Sequence, residues 1–418
     1  MLRICLDARI TSGKPGGIEQ FIIGLAYGLS QLTDGDEEYY FLSYSKGHDW
    51  LTPYITGPNR ILISGSSHEK PFFRNILKSS LPPIYKLIDR LYPLSGRWKI
   101  RDLASDGTIE KANIDIMHFT QQMAFLTKTL SIYHPHDLQH KHLKGNFSAT
   151  QRFLRDLLDR TFCSRADMVA VATTWVKDDV LKQYPFTKGK VQVVPLAPPT
   201  SAYQKPECED VIKVRNKFSL PKSFVFYPAQ TWAHKNHLGL LEALAILKQR
   251  NGITVPAVFA GSKNEAFYSK IEQRIQNLCL TSQTYFLGFV DPIELQCLYR
   301  LAKCVVIPTK YEAGSFPLWE AFLAGVPVSC SNVTSLPSQA GDAAIVFDPD
   351  NPKEIADAIY RLYTDESLCE VLIQRGLNNV SLFSWKQTAR IFRAHYRRLA
   401  NISLGPDDQN LLALPPKL

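Results

Sequence analysis

The most chemically informative stretch of this sequence lies between residues 303 and 331, where two acids stand eight positions apart. Glu312 belongs to a polar turn, Glu320 belongs to the apolar segment that follows, and Gly314 and Ser315 lie between them. Ionised carboxylates only accept hydrogen bonds, so such a pair suits the hydroxyl groups of a ribose or a hexose rather than a phosphate. The alternative is that Glu312 is a surface charge in a loop and Glu320 an ordinary acid near a helix N-terminus.

The elements around these acids have the pattern of a parallel α/β sheet. Residues 304–308 form a short apolar run that predicts a buried strand, and residues 326–330 predict the next strand. Between them, residues 316–324 have helical apolar spacing, with Ser315 as the N-cap and a Gly-x-Pro turn as the stop. The start of such a helix presents unpaired N–H groups and the positive end of its dipole, which suits a phosphate.

The segment EAGSFPLWE, followed by AFLAGVPV, resembles the donor-binding signature of the retaining glycosyltransferases of family 4. The acid spacing, the Gly-Ser pair and the Gly-x-Pro turn occur together, which makes the resemblance specific. It implies the GT-B fold of the α/β class, in which two Rossmann-like domains face each other across a cleft. It also implies that Glu320 accepts hydrogen bonds from ribose hydroxyls, while Glu312 is catalytic and lies beside the sugar, where positive charge develops. The donor diphosphate would lie on the N–H groups of Gly314, Ser315 and Phe316.

A lysine in the second half of the chain stands where it could meet a phosphate. Lys235 directly precedes the helix predicted at residues 238–249, so its ammonium group could act as a point charge there. The alternative is a solvated lysine ahead of a helix. In family 4, a lysine at this place pairs with an arginine a few residues earlier to hold the donor diphosphate. The arginine position holds Gln230 here, so we expect weaker binding of the donor diphosphate, or binding that Lys263 or Lys310 completes.

The first half opens with a strand at residues 2–8 and a glycine-rich loop at residues 9–20. The loop is not Gly-x-Gly-x-x-Gly and has no P-loop lysine, which argues against dinucleotide or P-loop binding. Gly16 and Gly17 allow a close backbone approach to a ligand at a helix N-terminus, although a plain strand-to-helix turn would use the same residues. By the resemblance, this pair borders the donor diphosphate and the acceptor pocket.

Four histidines follow the strand predicted at residues 130–133, at positions 134, 136, 140 and 142. A zinc site is conceivable, but the spacing fits no usual ligand set, so no metal site is predicted. His136-Asp137 resembles a strand-end His-Asp pair that is common in family 4. This implies that His136 contacts the donor sugar or the reacting phosphate region. His134 is its rival, and a purely structural role for all the histidines is the further alternative.

Length and composition indicate an ordinary two-domain protein. A chain of 418 residues is long for one core, and 45% hydrophobic with 21% charged residues shows no bias towards disorder. No apolar run reaches the roughly 18 residues that span a bilayer, and the N-terminus reads as a strand rather than a signal peptide. Eight scattered cysteines without a Cys-x-x-Cys pair indicate free thiols in a reducing compartment, hence a cytoplasmic protein.

The predicted domain boundaries combine these patterns with the family resemblance. We expect an N-terminal acceptor-binding Rossmann-like domain at 1–198 and a nucleotide-sugar-binding one at 199–384, with a linker after residue 197. A helix at 385–404 would cross back onto the N-terminal domain, and 405–418 would be a mobile tail. Asp348-Pro-Asp350 is formally the metal motif of another glycosyltransferase fold, but an aspartate in a turn before a helix is an ordinary cap.

A net charge of +9 and a pI near 9.0 favour an acidic partner. Residues 70–101 alternate eight basic residues, against a single acid, with apolar and aromatic ones, as an interfacial segment on an anionic membrane does. Nucleic acid is the other use of such a patch, but no reader motif is present, so no nucleic-acid partner is predicted. Two amphipathic helices with a solvated basic face are the remaining alternative.

The resemblance implies transfer of a hexose, mannose- or rhamnose-like, from a nucleotide-diphosphate sugar with retained anomeric configuration. Fixed cations and helix dipoles would stabilise the leaving diphosphate, so no cofactor and no divalent ion is expected. The acceptor would be a glycan or a lipid-linked sugar in cell-envelope polysaccharide synthesis, with the enzyme at the inner face of the membrane. Two alternatives stay open: a sugar-nucleotide 2-epimerase of the same fold, and an inactive nucleotide-sugar-binding scaffold.

Overall fold

The computed structural model describes residues 1–10, 16–64 and 104–413, so the predicted basic segment at 70–101 lies outside the described residues. The chain divides into two compact units. The first unit comprises Met1–Leu196 and Trp385–Lys417, and the second unit comprises Ala197–Ser384. Each contains a parallel β-sheet with helices, so the predicted α/β class with two parallel sheets is confirmed.

The first unit has a seven-stranded parallel sheet in the order β3-β2-β1-β4-β5-β6-β7. Its strands are β1 (Arg3–Asp7), β2 (Glu38–Ser43), β3 (Asn59–Ile63), β4 (Ile116–Phe119), β5 (Leu130–Tyr133), β6 (Met168–Val171) and β7 (Val191–Val193). The central strands are apolar runs that bury both faces, as parallel strands covered by helices do. The strand order reverses between β1 and β4, which pair with each other directly.

The helices that precede the second unit are short, apart from the first and the fourth. They are α1 (Gly17–Ser30), α2 (Thr108–Lys111), α3 (Gln139–His142), α4 (Ala149–Arg165) and α5 (Thr174–Gln183), with 3₁₀ turns at Asp49–Tyr54, Lys144–Asn146 and Pro185–Thr187. The longest, α4, begins with a capping box in which the Ser148 side chain accepts from the Gln151 amide.

The second unit repeats the plan with a six-stranded parallel sheet in the order β10-β9-β8-β11-β12-β13. Its strands are β8 (Val225–Pro228), β9 (Ala257–Ala260), β10 (Thr284–Phe286), β11 (Cys304–Ile307), β12 (Val328–Ser331) and β13 (Ala344–Phe347). Its helices are α6 (Cys208–Lys217), α7 (His237–Asn251), α8 (Glu265–Asn277), α9 (Pro292–Leu301), α10 (Phe316–Leu323), α11 (Leu336–Ala340), α12 (Pro352–Thr364) and α13 (Glu366–Val380), with 3₁₀ turns at Pro199–Ala202, Ala233–Lys235 and Thr281–Gln283. The strand order reverses between β8 and β11.

The chain then returns to the first unit through α14 (Trp385–Leu399), which packs on α1. Two glycines of α1 make this approach possible. A Cβ atom on Gly24 would lie 2.0 Å from the indole of Trp385, and one on Gly28 would lie 2.1 Å from the carbonyl oxygen of that residue. Arg393 adds an ion pair at 2.5 Å with Asp34, which lies in the segment after α1.

The prediction of a mobile tail is wrong for its described part, which ends at residue 413. The tail predicted to be mobile forms α15 (Pro406–Ala413), because the buried Asp408 carboxylate pairs with Arg397 at 2.8 Å. The predicted linker begins at the boundary between the two units, contains a 3₁₀ turn and leads into α6. Side chains of α9 hold it in place, with Arg300 donating to the carbonyl of Pro206 at 2.9 Å and Gln296 to that of Gln204 at 2.9 Å.

None of the described helices combines the length and the apolarity that a bilayer-spanning helix requires.

Candidate active site

A lysine and a glutamate from the segments that follow two neighbouring strands meet at the carboxyl end of the second sheet. Lys235 ends the 3₁₀ turn that follows β8, and Glu312 lies in the loop that follows β11. The Lys235 Nζ is 2.6 Å from the Glu312 Oε2, and the two side chains are only 21% and 15% exposed. Since β8 and β11 flank the reversal of strand order, this ion pair occupies the place where open α/β sheets bind their ligands.

The backbone of Glu312 is held by hydroxyl groups that follow the next strand, β12. Its N–H donates to the Thr334 Oγ1 at 3.0 Å, and its carbonyl accepts from the hydroxyls of Thr334 at 2.5 Å and Ser335 at 2.8 Å. On the other side, the Lys310 amide donates to the carbonyl of His234 at 2.7 Å and joins the two loops. The carboxylate of Glu312 is therefore presented by a fixed turn.

The predicted N-cap of α10 is confirmed, because the Ser315 hydroxyl accepts from the Leu318 amide. Ser315 is buried, however, and its own N–H donates to the Oε1 of Gln339 at 2.8 Å. The Ser315 amide is thus not open to a phosphate as the sequence predicted, and Pro317 has no N–H to offer. Within the described part of the chain, the N–H groups of Gly314 and Phe316 make no hydrogen bond to protein. These two are the donors that remain at this helix N-terminus.

Glu320 is buried one turn further along α10, where its Oε2 accepts from the Tyr299 hydroxyl at 2.8 Å. Burial raises the pKa of this carboxyl from 4.5 to about 7, and the Tyr299 hydroxyl opposes the shift. Glu312 pairs with Lys235 and Glu320 is bonded to Tyr299, so the two acids have separate partners. Glu320 is consequently poised to change its charge near neutral pH.

Gln230, which the sequence resemblance aligns with an arginine, is oriented by a tryptophan. The indole Nε1 of Trp232 lies 2.9 Å from the Gln230 Oε1. An indole N–H can only donate, so the amide oxygen of Gln230 must face it and the amide NH₂ group must point elsewhere. Gln230 therefore presents neutral donors where an arginine would present a charge.

The two lysines considered as substitutes for that arginine already have partners. Lys263 lies over the ring of Tyr268 at 4.1 Å, and Lys310 pairs with Asp350 at 2.5 Å. The N-cap of α12 is Asn351 rather than an aspartate of the Asp348-Pro-Asp350 turn. The described residues contain no group of three or more His, Cys, Asp or Glu side chains placed to hold a metal ion, so they offer no preformed site at this turn or at the histidines.

In the first unit, Gly16 is the N-cap of α1 with φ 56°, a conformation that favours glycine, and Gly17 is the first residue of the helix. Gly16 comes after β1 in the chain, and β1 flanks the reversal of strand order in this sheet. The loop residues 11–15 lie outside the described ranges. The diphosphate-binding role of the glycine pair stays a prediction.

The structure separates the two rival histidines by exposure. His134 is 1% exposed and lies between the rings of His118 and His136, at centroid distances of 5.5 and 5.1 Å. His136 is only partly buried, with φ 59°, and its Nε2 is 2.7 Å from the carbonyl oxygen of Thr120. A carbonyl can only accept, so Nε2 carries the proton and Nδ1 of the neutral ring keeps a lone pair. Burial lowers the pKa of both imidazoles, which favours this neutral form.

Comparison with known proteins identifies the fold and the family. Residues 15–200 match the model of Glycosyltransferase Family 4, and residues 209–379 match that of Glycosyl transferases group 1. The chain belongs to glycosyltransferase family 4. Its two parallel-sheet units are those of the GT-B glycosyltransferases, as the resemblance of the acid pair implied.

Among relatives of this glycosyltransferase, the O-antigen chain mannosyltransferase B of Escherichia coli is 26% identical over 300 residues, which cover 71% of this chain and 75% of the relative. Sucrose-phosphate synthase from Thermosynechococcus elongatus superposes with a TM-score of 0.68 at 20% identity, covering 96% of this chain and all of that one. Anabaena HepE, in complex with UDP-glucose, superposes with a TM-score of 0.65 at 17% identity, covering 96% and 99% of the two chains. At these identities the two structures show the fold alone.

Sequence reasoning for this glycosyltransferase missed the residues that hold the acids in place. Tyr299, Thr334 and Gln339 come from α9, the loop after β12 and α11, and each contacts the acid loop or α10 across 21 to 24 residues of sequence. Of the three, only Thr334 carried a usable signal, because it follows the strand that neighbours β11 and so lies at the same edge of the sheet. A lone tyrosine or glutamine inside a helix carries no such signal.

Proposed function

We propose that this glycosyltransferase transfers a mannose-like hexose from a nucleotide-diphosphate sugar to a glycan or lipid-linked acceptor, with retention and without a divalent metal ion. The observation that carries the proposal is the Lys235–Glu312 ion pair at the reversal point of the second sheet. A lone cation there would suit any anion, whereas a cation paired with a carboxylate offers one group to a phosphate and the other to a sugar.

The chemistry follows from how the charges are placed. Lys235 has three N–H donors, so it can keep Glu312 while it donates to a phosphate oxygen of the donor. Breaking the bond between the sugar and the diphosphate places negative charge on the phosphate and positive charge on the sugar. The ammonium group and the remaining N–H groups at the start of α10 would stabilise the first, and the Glu312 carboxylate would stabilise the second.

The choice of sugar and process rests on the relatives. The curated E. coli relative is named as an O-antigen chain mannosyltransferase, which supports a mannosyl donor and a growing polysaccharide as acceptor. HepE is solved with UDP-glucose, which supports a nucleotide-diphosphate sugar as the donor class. Within the first unit, the Nδ1 of His136 offers an acceptor for a sugar hydroxyl.

Retention is proposed from the family resemblance, and the acids present favour one route to it. A retaining hydrolase uses a second carboxylate as its nucleophile, and the second acid of this pair, Glu320, is buried and bonded to Tyr299 instead. We therefore assign the acceptor's proton to the leaving diphosphate, which would receive it on the same face of the sugar. Lys235 would supply the positive charge that a divalent ion gives in other enzymes.

The test begins with binding of GDP, UDP, dTDP and CDP, because a ligand that binds the native state raises the melting temperature. The corresponding sugar nucleotides are then incubated with polysaccharide acceptors in EDTA, and NMR of the product reports its anomeric configuration. A free epimerised sugar nucleotide would support the epimerase instead, and donor binding without turnover would support the inactive scaffold. Inversion, or loss of activity in EDTA, would overturn the corresponding part of the proposal.

Three variants separate the roles within the pair. Lys235→Met should weaken nucleoside-diphosphate binding by about tenfold to a hundredfold, the worth of one charge-assisted hydrogen bond. Glu312→Gln should leave that binding intact, or tighten it, while abolishing most turnover. Lys310→Met is the matched control, since Lys310 lies in the same loop as Glu312 but pairs with Asp350. It should change neither nucleoside-diphosphate binding nor turnover by more than severalfold. Equal effects of the two lysine variants would contradict the assignment.

A further inference from the structure

The outward face of α4 carries large apolar side chains in the open. Phe153 is 66% exposed and Leu157 is 48% exposed, and they stand one helical turn apart on the same side of the helix. Single apolar residues on a surface need no explanation, but neighbouring ones mark a contact surface. The helix buries its opposite side, including Phe162 and Cys163. The exposed Phe153 and Leu157 therefore do not belong to the face that packs on the core.

The apolar strip continues through an arginine into the adjoining 3₁₀ turn. Arg160 lies one turn beyond Leu157, and its guanidinium carbon is 5.4 Å from the ring of Phe186, which is 43% exposed. Arg152, beside Phe153, is anchored by its Nη1 to the carbonyl of Lys144 at 2.9 Å. We name Phe153, Leu157, Arg160 and Phe186 the α4 surface.

Both acids of α4 have partners within the first unit. Asp156 pairs with Lys141 and accepts from the Tyr184 hydroxyl at 2.7 Å. Asp159 is buried and accepts from the Tyr133 hydroxyl at 2.9 Å. Between residues 160 and 190 the exposed bases are Arg160, Arg165, Lys182 and Lys188, and the exposed acids are Asp167 and Asp178. The α4 surface is therefore apolar apart from Arg160, and it lies in a stretch with more exposed bases than acids.

We propose that the α4 surface docks the first unit on an anionic bilayer. Phenylalanine and leucine side chains of this kind enter the boundary between headgroups and acyl chains, while arginines remain with the phosphates. Each basic residue near an anionic leaflet adds attraction that salt screens. A protein partner would be expected to present acids to Arg160 and an apolar pocket to Phe153, and the experiment below tests for it. No residue of the α4 surface belongs to the segment at 70–101. The docking proposal does not depend on the proposed donor or acceptor.

The experiment is co-sedimentation of the full chain with vesicles that contain phosphatidylglycerol, compared with vesicles of phosphatidylcholine alone. The wild type should bind the anionic vesicles and release them as salt is raised. Phe153→Ser combined with Leu157→Ser should weaken binding by at least about tenfold, since both side chains lose their transfer from water. Arg160→Gln should weaken it less and reduce its salt dependence.

Controls keep the result interpretable. Ile212→Ser removes an apolar side chain that is 61% exposed on α6 of the second unit, and it should leave vesicle binding unchanged. The melting temperature should be unchanged in each variant, because the altered side chains are exposed. Nucleoside-diphosphate binding, measured in parallel, tests the proposed function separately from docking.

Three outcomes would overturn the proposal. The first is a wild type that binds neither kind of vesicle. The second is full vesicle binding by the α4 double variant together with loss of binding when Lys70, Lys78 and Lys86 are changed to glutamine. The third is a double variant that changes the oligomeric state in sedimentation velocity without changing vesicle binding, which would assign the surface to a protein contact.

Discussion

Glu320 provides a stability prediction whose sign and size both follow from the structure. Its pKa is raised to about 7 in the folded protein, from an ordinary value of 4.5, because the carboxyl is buried with the Tyr299 hydroxyl as its partner. The native state therefore holds a proton that the unfolded chain releases. The resulting stabilisation is complete below about pH 4.5 and is lost as the pH rises through 7. Between pH 5 and pH 8 the loss is about 2 to 3 kcal/mol.

The perturbation is Glu320→Gln, which keeps the shape of the side chain and removes its titration. Buried histidines oppose the effect in the wild type, since burial lowers the pKa of His118, His134 and His237 and makes them destabilising as the pH falls. The quantity to measure is therefore the difference in unfolding free energy between variant and wild type at each pH. The wild type should lose stability relative to the variant as the pH rises.

The assay must report the second unit, because two compact units can unfold separately. Hydrogen exchange of peptides covering residues 304–323, together with urea unfolding, meets this need. Asp159→Asn is the matched control: burial also raises the pKa of this carboxyl to about 7, but it lies in the first unit, so the exchange of those peptides should not follow it. A difference curve for Glu320→Gln that stays flat from pH 5 to 8 would refute the reasoning.

Three further predictions concern the ligand, the missing cation and the packing of α14. If ribose hydroxyls donate to Glu320, binding favours its ionised form, so calorimetry should show GDP or UDP affinity rising from pH 6 to pH 8, and Glu320→Gln should remove that rise. Gln230→Arg should tighten nucleoside-diphosphate binding severalfold by calorimetry, because it restores a charge-assisted donor; weaker binding would show that the arginine is not accommodated. Gly24→Ala should cost about 1 to 3 kcal/mol of unfolding free energy in urea, since its Cβ would overlap Trp385, whereas Gly145→Ala, with open space around it, should cost little.

The positions of Lys235 and Glu312 in loops that follow strands could be predicted because they depend on topology, whereas the ion pair between them was not predicted. A strand followed by a loop and a helix fixes where a loop residue goes, and parallel strands bring their carboxyl ends to one edge. The partners of the acids could not be predicted in the same way. Gln339 reaches Ser315 and Tyr299 reaches Glu320 by single long-range hydrogen bonds, which leave no periodic trace in the sequence. The amide that was expected to meet a phosphate was therefore already in use.

The same limit explains the error at the C-terminal end and the alternative that the sequence left open at the histidines. Residues after 404 look polar and proline-rich, but the Asp408 carboxylate finds Arg397, and this contact holds α15 in place. The sequence after β5 shows two imidazoles, His134 and His136, that have the same chemistry. They differ in exposure because Phe21 and His118, which come from other elements, pack on His134. Local pattern predicts elements, whereas burial of a polar group is decided by what packs on it.

The charge balance of the candidate site gives the predicted replacement of an arginine by Gln230 a physical meaning. The Lys235–Glu312 pair is neutral as a whole, and Gln230 adds donors without adding charge. A donor diphosphate bound there would be held by one shared ammonium group, amide N–H groups and the dipole of α10, so its binding should be modest and sensitive to geometry. When the bond between the sugar and the phosphate of such a donor breaks, negative charge would grow on the phosphate, so its attraction to Lys235 would strengthen at that moment. Weak ground-state binding and a stronger grip on the departing charge together favour turnover, which is what differential stabilisation of a transition state requires.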